Sequence, residues 1–372
     1  MKWRDKIFLL RDLISAKFPS SGTVHREGTL IIRLDRIGDF ALYAPFAHAG
    51  VIPGEKTYFL VNSLWAELCA KIFPGAEIIP LNPGMFLQNR SYRAQMLKQI
   101  AALKVRRVLQ PRFYREVLVE EIISAAAAPK ECVRFAATPL HLQYKLLKYY
   151  SSSQAVELEY IQGEHELERN FRFARKCDPR FTMKNPWLDF SEQPPENFKS
   201  KEYICIFPGS GKGPGCCWQA EKWSSLLNNL PDSRFLICGT PAEKEMMDFI
   251  AGDSAADCRV VSHLTLTQFA ALTAHARCVI GNDTGGIHLA AMSGVPAAAI
   301  SGRGQPGWFL PYPEKALPPG CTPPLTVTTP CQCENCFWRC RHLSKGICKC
   351  IDDISVSQVL DAMEANNFSA LR

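Results

Sequence analysis

The sequence predicts an α/β protein with two doubly wound, parallel-sheet (Rossmann-like) domains. Short apolar runs of strand type alternate with helical or loop segments along the chain, which is typical of a parallel sheet covered by helices. Both halves also open with a strand, a glycine-containing turn and a helical pattern, at residues 29–45 and 203–227. Because such sheets bind ligands at the carboxyl ends of their strands, we expect a ligand cleft between the two domains.

The first domain is predicted over residues 29–185. Its strand candidates are residues 29–34, 57–61, 77–80 and 107–110. Before it, residues 1–28 alternate basic and apolar residues at helical spacing, which predicts an amphipathic helix. That helix either packs on the first domain or rests on an anionic membrane surface. After it, the Pro-rich and polar stretch 186–201 is typical of a linker.

The second domain is predicted over residues 202–350, where the alternation restarts. Its strand candidates are residues 203–207, 235–238, 258–261, 278–280 and 297–300. Residues 351–372 contain a further helical pattern, with Ser355 or Ser357 as its cap.

Composition excludes several classes of protein. A chain of 372 residues with 47% hydrophobic and 21% charged residues can bury two cores of ordinary size. The net charge of +7 is modest and is not concentrated in basic runs interleaved with aromatics, which argues against nucleic-acid binding. No apolar run approaches the ~20 residues of a membrane-spanning helix, and no signal-peptide cleavage site is evident. We therefore expect a cytoplasmic protein.

The segment 281–288, Gly-Asn-Asp-Thr-Gly-Gly-Ile-His, lies between a predicted strand and a predicted helix. Glycines let backbone N–H groups approach an anion, the helix presents its positive end, and Thr284 can cap or donate. A capped turn with a core histidine is the alternative. The glycine-rich turn 208–215 after the strand at 203–207 offers a second place for phosphate.

Five motifs follow one another along the chain: Gly38-Asp39 with Pro45, residues 207–210 ahead of Trp218, residues 235–239, residues 282–285 with His288, and residues 350–354 before Val359-Leu360. This ordered set resembles glycosyltransferase family 9, the heptosyltransferases of lipopolysaccharide core assembly. The resemblance implies a GT-B architecture whose last helix, in residues 351–372, returns to the first domain. It also implies inverting, metal-independent transfer, without a catalytic cofactor, from a nucleotide sugar such as ADP-heptose to a glycolipid or oligosaccharide acceptor.

Inverting transfer needs a base that takes the proton of the attacking acceptor hydroxyl. The family's Gly-Asp pair assigns this role to Asp39, and Gly38 lets the turn approach substrate. Alternatively, Asp39 only caps the following helix. Asp35 is the second candidate base.

The leaving nucleoside diphosphate needs donors that are already in place. The predicted hydrogen-bond donors to the diphosphate are Ser210, Thr284, Gly285 and Gly286. Asp283 and His288 orient the loop or contact the donor, and His288 is alternatively a core histidine.

The family lysine two residues before the helix-leading Trp is replaced here by Cys216. A thiol cannot supply the positive charge of an ammonium. Lys212, Lys222 or Arg36 are the candidates to replace it.

Sixteen cysteines are unusual for such a chain. Six of them crowd into one segment, at Cys331, Cys333, Cys336, Cys340, Cys348 and Cys350. In a cytoplasmic protein this clustering suggests thiolate ligation, and we expect a structural Zn²⁺ site without a catalytic role. Free or crosslinked thiols remain the alternative.

Three functions are compatible with these residues. The first is a sugar transferase in peripheral contact with the cytoplasmic face of the inner membrane. The second is another nucleotide-sugar enzyme on the same fold, such as an epimerase or a hydrolase. The third is a non-catalytic protein that binds a nucleotide sugar or a glycan.

Overall fold

A computed structural model describes residues 25–138, 155–183, 194–195, 198–332, 334–366 and 368. The chain forms two compact units. The first comprises Met1–Arg36, Phe46–Gln162 and Asn170–Thr182, and the second comprises Ile37–Pro45, Gly163–Arg169 and Met183–Arg372. The sequence had suggested that all of residues 29–185 belong to the first domain. Two short segments of that range are instead grouped by their contacts with the second unit.

The first unit contains a six-stranded parallel sheet in the order β3-β2-β1-β4-β5-β6. Its strands are β1 Thr29–Arg33, β2 Thr57–Asn62, β3 Glu77–Leu81, β4 Arg107–Gln110, β5 Glu131–Phe135 and β6 Ala155–Leu158. The sequence analysis missed β5 and β6. In β5 the charged Arg134 is buried and pairs with Glu121 at 2.8 Å. Because of this charged residue, β5 lacks the continuous apolar run from which the other strands were predicted.

The second unit contains a second six-stranded parallel sheet, in the order β12-β11-β10-β7-β8-β9. Its strands are β7 Ile204–Phe207, β8 Arg234–Cys238, β9 Asp257–Val261, β10 Cys278–Asn282, β11 Ala297–Ile300 and β12 Leu325–Val327. A short antiparallel hairpin, β13 Leu343–Ser344 and β14 Ile347–Cys348, lies in the cysteine-rich segment. Both six-stranded sheets follow the doubly wound order, in which ligands bind where the strand order reverses.

Twelve α-helices are described in the ranges given above. They are α1 Ile37–Tyr43, α2 Ala66–Ile72, α3 Pro83–Gln88, α4 Arg90–Ala102, α5 Ile122–Ala127, α6 Glu166–Cys177, α7 Ala220–Asn228, α8 Lys244–Asp253, α9 Leu266–Ala274, α10 Gly285–Met292, α11 Lys349–Asp352 and α12 Val356–Ala365. Within the described part of the chain, no helix is both long and apolar enough to cross a bilayer.

The end of the chain packs on the second unit as far as the structure describes it. Ser355 caps α12 through a capping box with Gln358, and Val359 and Met363 are buried in the core of that unit. The expected return of the last helix to the first domain stays a prediction.

Two other expectations fall largely outside the described residues. Residues 1–24 carry most of the predicted N-terminal helix, and residues 184–193 and 196–197 carry most of the predicted linker.

Candidate active site

The candidate site lies where the strand order of the second sheet reverses, between β7 and β10. These strands are parallel neighbours, with Gly281 beside Phe207. Asn282 at the end of β10 is buried, and its side chain joins the two turns that follow these strands. Its Oδ1 accepts a hydrogen bond from the Trp218 backbone N–H at 3.1 Å, and its Nδ2 donates to the Pro208 carbonyl. One amide side chain therefore fixes the glycine-rich turn against Asp283.

Asp283 is an ionised carboxylate held by two partners. Its Oδ2 lies 2.6 Å from Lys212 Nζ, and its Oδ1 lies 3.7 Å from His288 Nε2. Burial by itself would raise the pKa of Asp283, but the Lys212 ammonium and His288 hold it well below its usual range. These contacts tie the loop after β10 to Lys212 and to α10, and whether Asp283 orients the loop or contacts the donor stays a prediction.

Lys212 reaches Asp283 from the glycine-rich turn. The turn is closed locally, because the Lys212 backbone N–H donates to Ser210 Oγ at 3.2 Å. The Lys212 ammonium also lies 3.9 Å from the centroid of the Trp338 ring. Ser210 and Lys212, on one turn, are thus brought close to Asp283, which lies 71 residues after Lys212 in the sequence.

Thr284 is the N-cap of α10, but its hydroxyl makes no capping hydrogen bond. Its Oγ1 is buried and has no hydrogen-bond partner among the residues that the structure describes. A buried hydroxyl beside the free N–H groups of a helix start is a suitable donor pair for an anionic oxygen.

His288 is buried on α10 and is oriented by Tyr312. His288 Nδ1 lies 2.7 Å from the Tyr312 hydroxyl, and the two rings stack with an interplanar angle of 4°. Burial keeps the pKa of Tyr312 well above its usual value, so its hydroxyl stays protonated and shares a hydrogen bond with His288 Nδ1. His288 Nε2, the other ring nitrogen, faces Asp283. The histidine is therefore a buried residue that also lies against the loop after β10.

Asp39 lies on α1, which packs against α10 within the second unit. Both helices meet through glycines. A Cβ on Gly38 would come 2.9 Å from His288 Cδ2, and a Cβ on Gly285 would clash with Ile37 Cγ2. Asp39 is the third residue of α1 and is half-buried. Close glycine packing therefore brings the helix of the predicted base onto the turn that carries Asp283 and Thr284.

The glycines of α10 have a packing role that the sequence analysis did not include. A Cβ on Gly286 would come 2.8 Å from the Phe207 ring, just as one on Gly285 would meet Ile37. Their lack of a side chain is required by these neighbours, whether or not their N–H groups also face an anion.

Asp35, the second candidate base, is committed to an ion pair. Its Oδ2 lies 3.0 Å from Arg33 Nε, and both side chains are buried in the first unit. Arg36, which follows it, is exposed.

Lys222 and Cys216 both contact residues near the C-terminal end of the second unit. Lys222 Nζ donates to the backbone carbonyls of Ile354, at 3.0 Å, and Asp352. It therefore anchors the C-terminal segment, and a role of Lys222 in donor binding stays a prediction. Cys216 Sγ lies 3.8 Å from Cys348 Sγ, and burial raises the pKa of the Cys216 thiol, which keeps it neutral.

The expected zinc site is not supported by the described residues. Among them, no group of three or more His, Cys, Asp or Glu side chains is arranged to hold a metal ion. Cys350 accepts a hydrogen bond from the Arg303 backbone N–H at 3.4 Å, and burial raises the pKa of Cys350 to about 11. Cys331, Cys336, Cys340 and Cys348 form no disulfide bond among the described residues, and Cys333 lies outside them.

Three organising residues were missed by the sequence analysis: Asn282, Tyr312 and Trp338. An Asn at a strand end beside two turns is a recognisable signal, since its amide can bridge both. Trp338 follows Phe337 in an otherwise polar, cysteine-rich segment, which is also a signal. The sequence contains no such signal for Tyr312, because this residue lies in a loop 24 residues from His288.

Comparison with known proteins identifies the family and the fold of the chain. A family model described as glycosyltransferase family 9 (heptosyltransferase) matches residues 92–323. No curated protein sequence matches the chain.

Solved structures share the fold. E. coli heptosyltransferase WaaC with ADP-2-deoxy-2-fluoro heptose is 17% identical, with a TM-score of 0.67 over 91% of this chain and 99% of that one. A glycosyltransferase family 9 protein from Veillonella parvula DSM 2008 is 15% identical, with a TM-score of 0.67 over 95% of this chain and 99% of that one. E. coli ADP-heptose LPS heptosyltransferase II is 17% identical, with a TM-score of 0.62 over 92% and 99%.

These matches confirm both the GT-B fold and the family that the motifs had suggested. The chain belongs to glycosyltransferase family 9, the heptosyltransferase family.

Proposed function

We propose that this glycosyltransferase moves a heptose, or a related sugar, from an ADP-heptose-like donor to a lipopolysaccharide core or similar glycolipid acceptor. The observation that carries the proposal is the packing of the Asp39 helix on the turn that holds Asp283 and Thr284. It is also supported by the E. coli relative WaaC, whose structures contain ADP and an ADP-heptose analogue.

In the proposed reaction Asp39 takes the proton of the acceptor hydroxyl while the hydroxyl oxygen attacks the anomeric carbon. The bond from that carbon to the diphosphate oxygen breaks, and the electron pair leaves with the nucleoside diphosphate. Attack from the side opposite to the leaving group inverts the anomeric carbon.

The charge that develops on the diphosphate meets donors already in place. They are the Thr284 hydroxyl, the first N–H groups of α10, Ser210 and the Lys212 ammonium. Because these groups are held by the protein before reaction, they cost little reorganisation when charge develops. The proposal requires no metal ion or cofactor in this step.

Replacing the base tests the proposal. D39N should lower the rate of sugar transfer by ~10²–10⁴-fold, the range for loss of a general base. It should leave ADP affinity within about 3-fold, because the change lies on the acceptor side of the reacting carbon. Transfer is measured by ADP release and by the mass of the acceptor.

D248N is the matched control, since Asp248 is half-exposed in an i,i+4 pair with Lys244. Unchanged transfer by D39N would remove Asp39 from the mechanism. ADP release by the wild type without an acceptor would identify a hydrolase, and ADP binding without turnover would identify a binding protein.

We also propose that the protein works in the cytoplasm, in peripheral contact with the inner membrane. A glycolipid acceptor and the amphipathic pattern of residues 1–28 support this.

A further inference from the structure

The Lys212 ammonium has two partners of different chemistry. Its Nζ lies 2.6 Å from Asp283 Oδ2 and 3.9 Å from the centroid of the Trp338 ring. The Lys212 and Asp283 side chains are only 18% and 14% exposed. A cation in this setting is poorly solvated, so both contacts matter for where it sits.

Trp338 comes from the cysteine-rich segment and is held there by several contacts. Its Nε1–H donates to Gln305 Oε1 at 3.1 Å. Its ring lies so close to Gly304 that an added Cβ would come 2.6 Å from it. The Phe337 backbone N–H donates to the Gly304 carbonyl at 2.9 Å, which fixes the neighbouring residue as well.

The backbone at this point is unfavourable for bulky residues. Phe337 and Trp338 have φ angles of +50° and +62°, in the left-handed region. L-residues with large side chains avoid that region, and they occupy it only where their surroundings fix them. The segment thus accepts local strain at the residue that contacts Lys212.

The two partners of Lys212 differ in what they do to an approaching diphosphate. Asp283 neutralises the ammonium and repels a second anion. The indole ring attracts the ammonium through its π face without adding a negative charge. An ammonium positioned in part by an aromatic ring can therefore still attract phosphate oxygens.

We propose that Trp338 is a positioning residue that holds Lys212 for the diphosphate of the donor. Lys212 then supplies the positive charge that Cys216 cannot, and the cysteine-rich segment takes part in donor binding through Trp338. This inference rests on the proposed function.

The test compares ADP affinity in variants that keep or remove the aromatic face. W338L keeps apolar bulk but removes the π face, and it should weaken ADP binding by ~3–30-fold, the range of a cation–π contact. W338F keeps a ring and should stay within about 3-fold of wild type. K212M should weaken ADP binding by ~10-fold or more, because it removes the cation itself.

A double-mutant cycle separates positioning from structural support. In the K212M background, W338L should change ADP affinity by less than about 2-fold, since its effect acts through the missing ammonium. The matched control is F337L, because Phe337 is the exposed neighbour with the same backbone strain. F337L should bind ADP as the wild type does.

The inference is overturned if W338L binds ADP as tightly as wild type, or if W338L weakens K212M as much as it weakens wild type. The second result would mean that Trp338 only supports the fold. If the wild type binds ADP and the variants give either result, the role of Trp338 is refuted and the proposed function still stands. A wild-type protein that binds neither ADP nor ADP-heptose refutes both.

Discussion

At the scale of single residues, the site depends on charges that balance one another. Asp283 is largely buried next to the glycine-rich turn that we propose to bind phosphate, where an unpaired carboxylate would be both costly and repulsive. Lys212 and His288 offset that cost, and the Tyr312 hydroxyl holds the His288 ring through a hydrogen bond to Nδ1. Each of these four side chains contacts the next, in the order Lys212, Asp283, His288 and Tyr312. A change in one of them should therefore affect the others.

This coupling predicts how stability depends on pH. The folded-state pKa of Asp283 lies below its unfolded value, so its stabilising contribution is present above about pH 4 and is lost as the pH falls. D283N should lower the free energy of unfolding at pH 7 by ~1–3 kcal/mol, because Lys212 loses its partner. Below pH 4 the difference from wild type should shrink. Urea denaturation at pH 7 and pH 3 measures both values.

The exposed D248N variant is the control and should follow the wild-type pH dependence. An equal difference between D283N and wild type at both pH values would mean that the ion pair does not stabilise the fold.

At the scale of elements, the contact between α1 and α10 decides where the predicted base lies. Two glycines, Gly38 and Gly285, allow the helices to approach closely. Large side chains at these positions would separate Asp39 from the turn after β10. The position of the base therefore depends on residues that carry no functional group.

G285A tests this dependence. Its Cβ would clash with Ile37 Cγ2, so α1 must shift away from α10. We expect transfer to fall by ~10-fold or more, because misplacing a catalytic group by about 1 Å can cost as much as 10²-fold. ADP affinity should fall less, since Lys212 and Thr284 are not on α1. Initial rates of transfer and ADP titrations measure the two effects.

Two variants serve as comparisons. I37A removes the clashing methyl group, so G285A/I37A should recover part of the lost transfer. G252A lies on α8, where a Cβ has no neighbour within 4 Å, and should behave as wild type. If G285A transfers sugar at the wild-type rate, the position of α1 is not set by this contact.

At the scale of the whole molecule, ligand binding and stability are linked. A ligand that binds only the folded chain raises its stability by RT ln(1 + [L]/Kd), about 2.7 kcal/mol at one hundred times Kd. ADP should therefore raise the melting temperature of the wild type, and K212M should show a smaller rise at the same ADP concentration. Differential scanning fluorimetry across an ADP series measures both curves. Equal rises in the two proteins would exclude Lys212 from the diphosphate site.

The local elements were largely predictable. The apolar strands β1 to β4 and β7 to β11, the turns after β7 and β10 and the cap at Ser355 follow from patterns of a few residues. Strand β5 was missed because its charge is compensated by Glu121, which is ten or more positions away in sequence. Such pairing leaves no trace in a local pattern.

The sequence by itself determined the α/β class, the two sheets and the family, because periodicity and short motifs are local properties. Only the tertiary structure decided that Lys212, one of three candidates for the cation of the diphosphate site, lies against Asp283. It also decided that Trp338 and Tyr312 belong to the site. The physical reason is that side-chain pairing depends on distances that the folded chain sets, and those distances have no counterpart in sequence spacing.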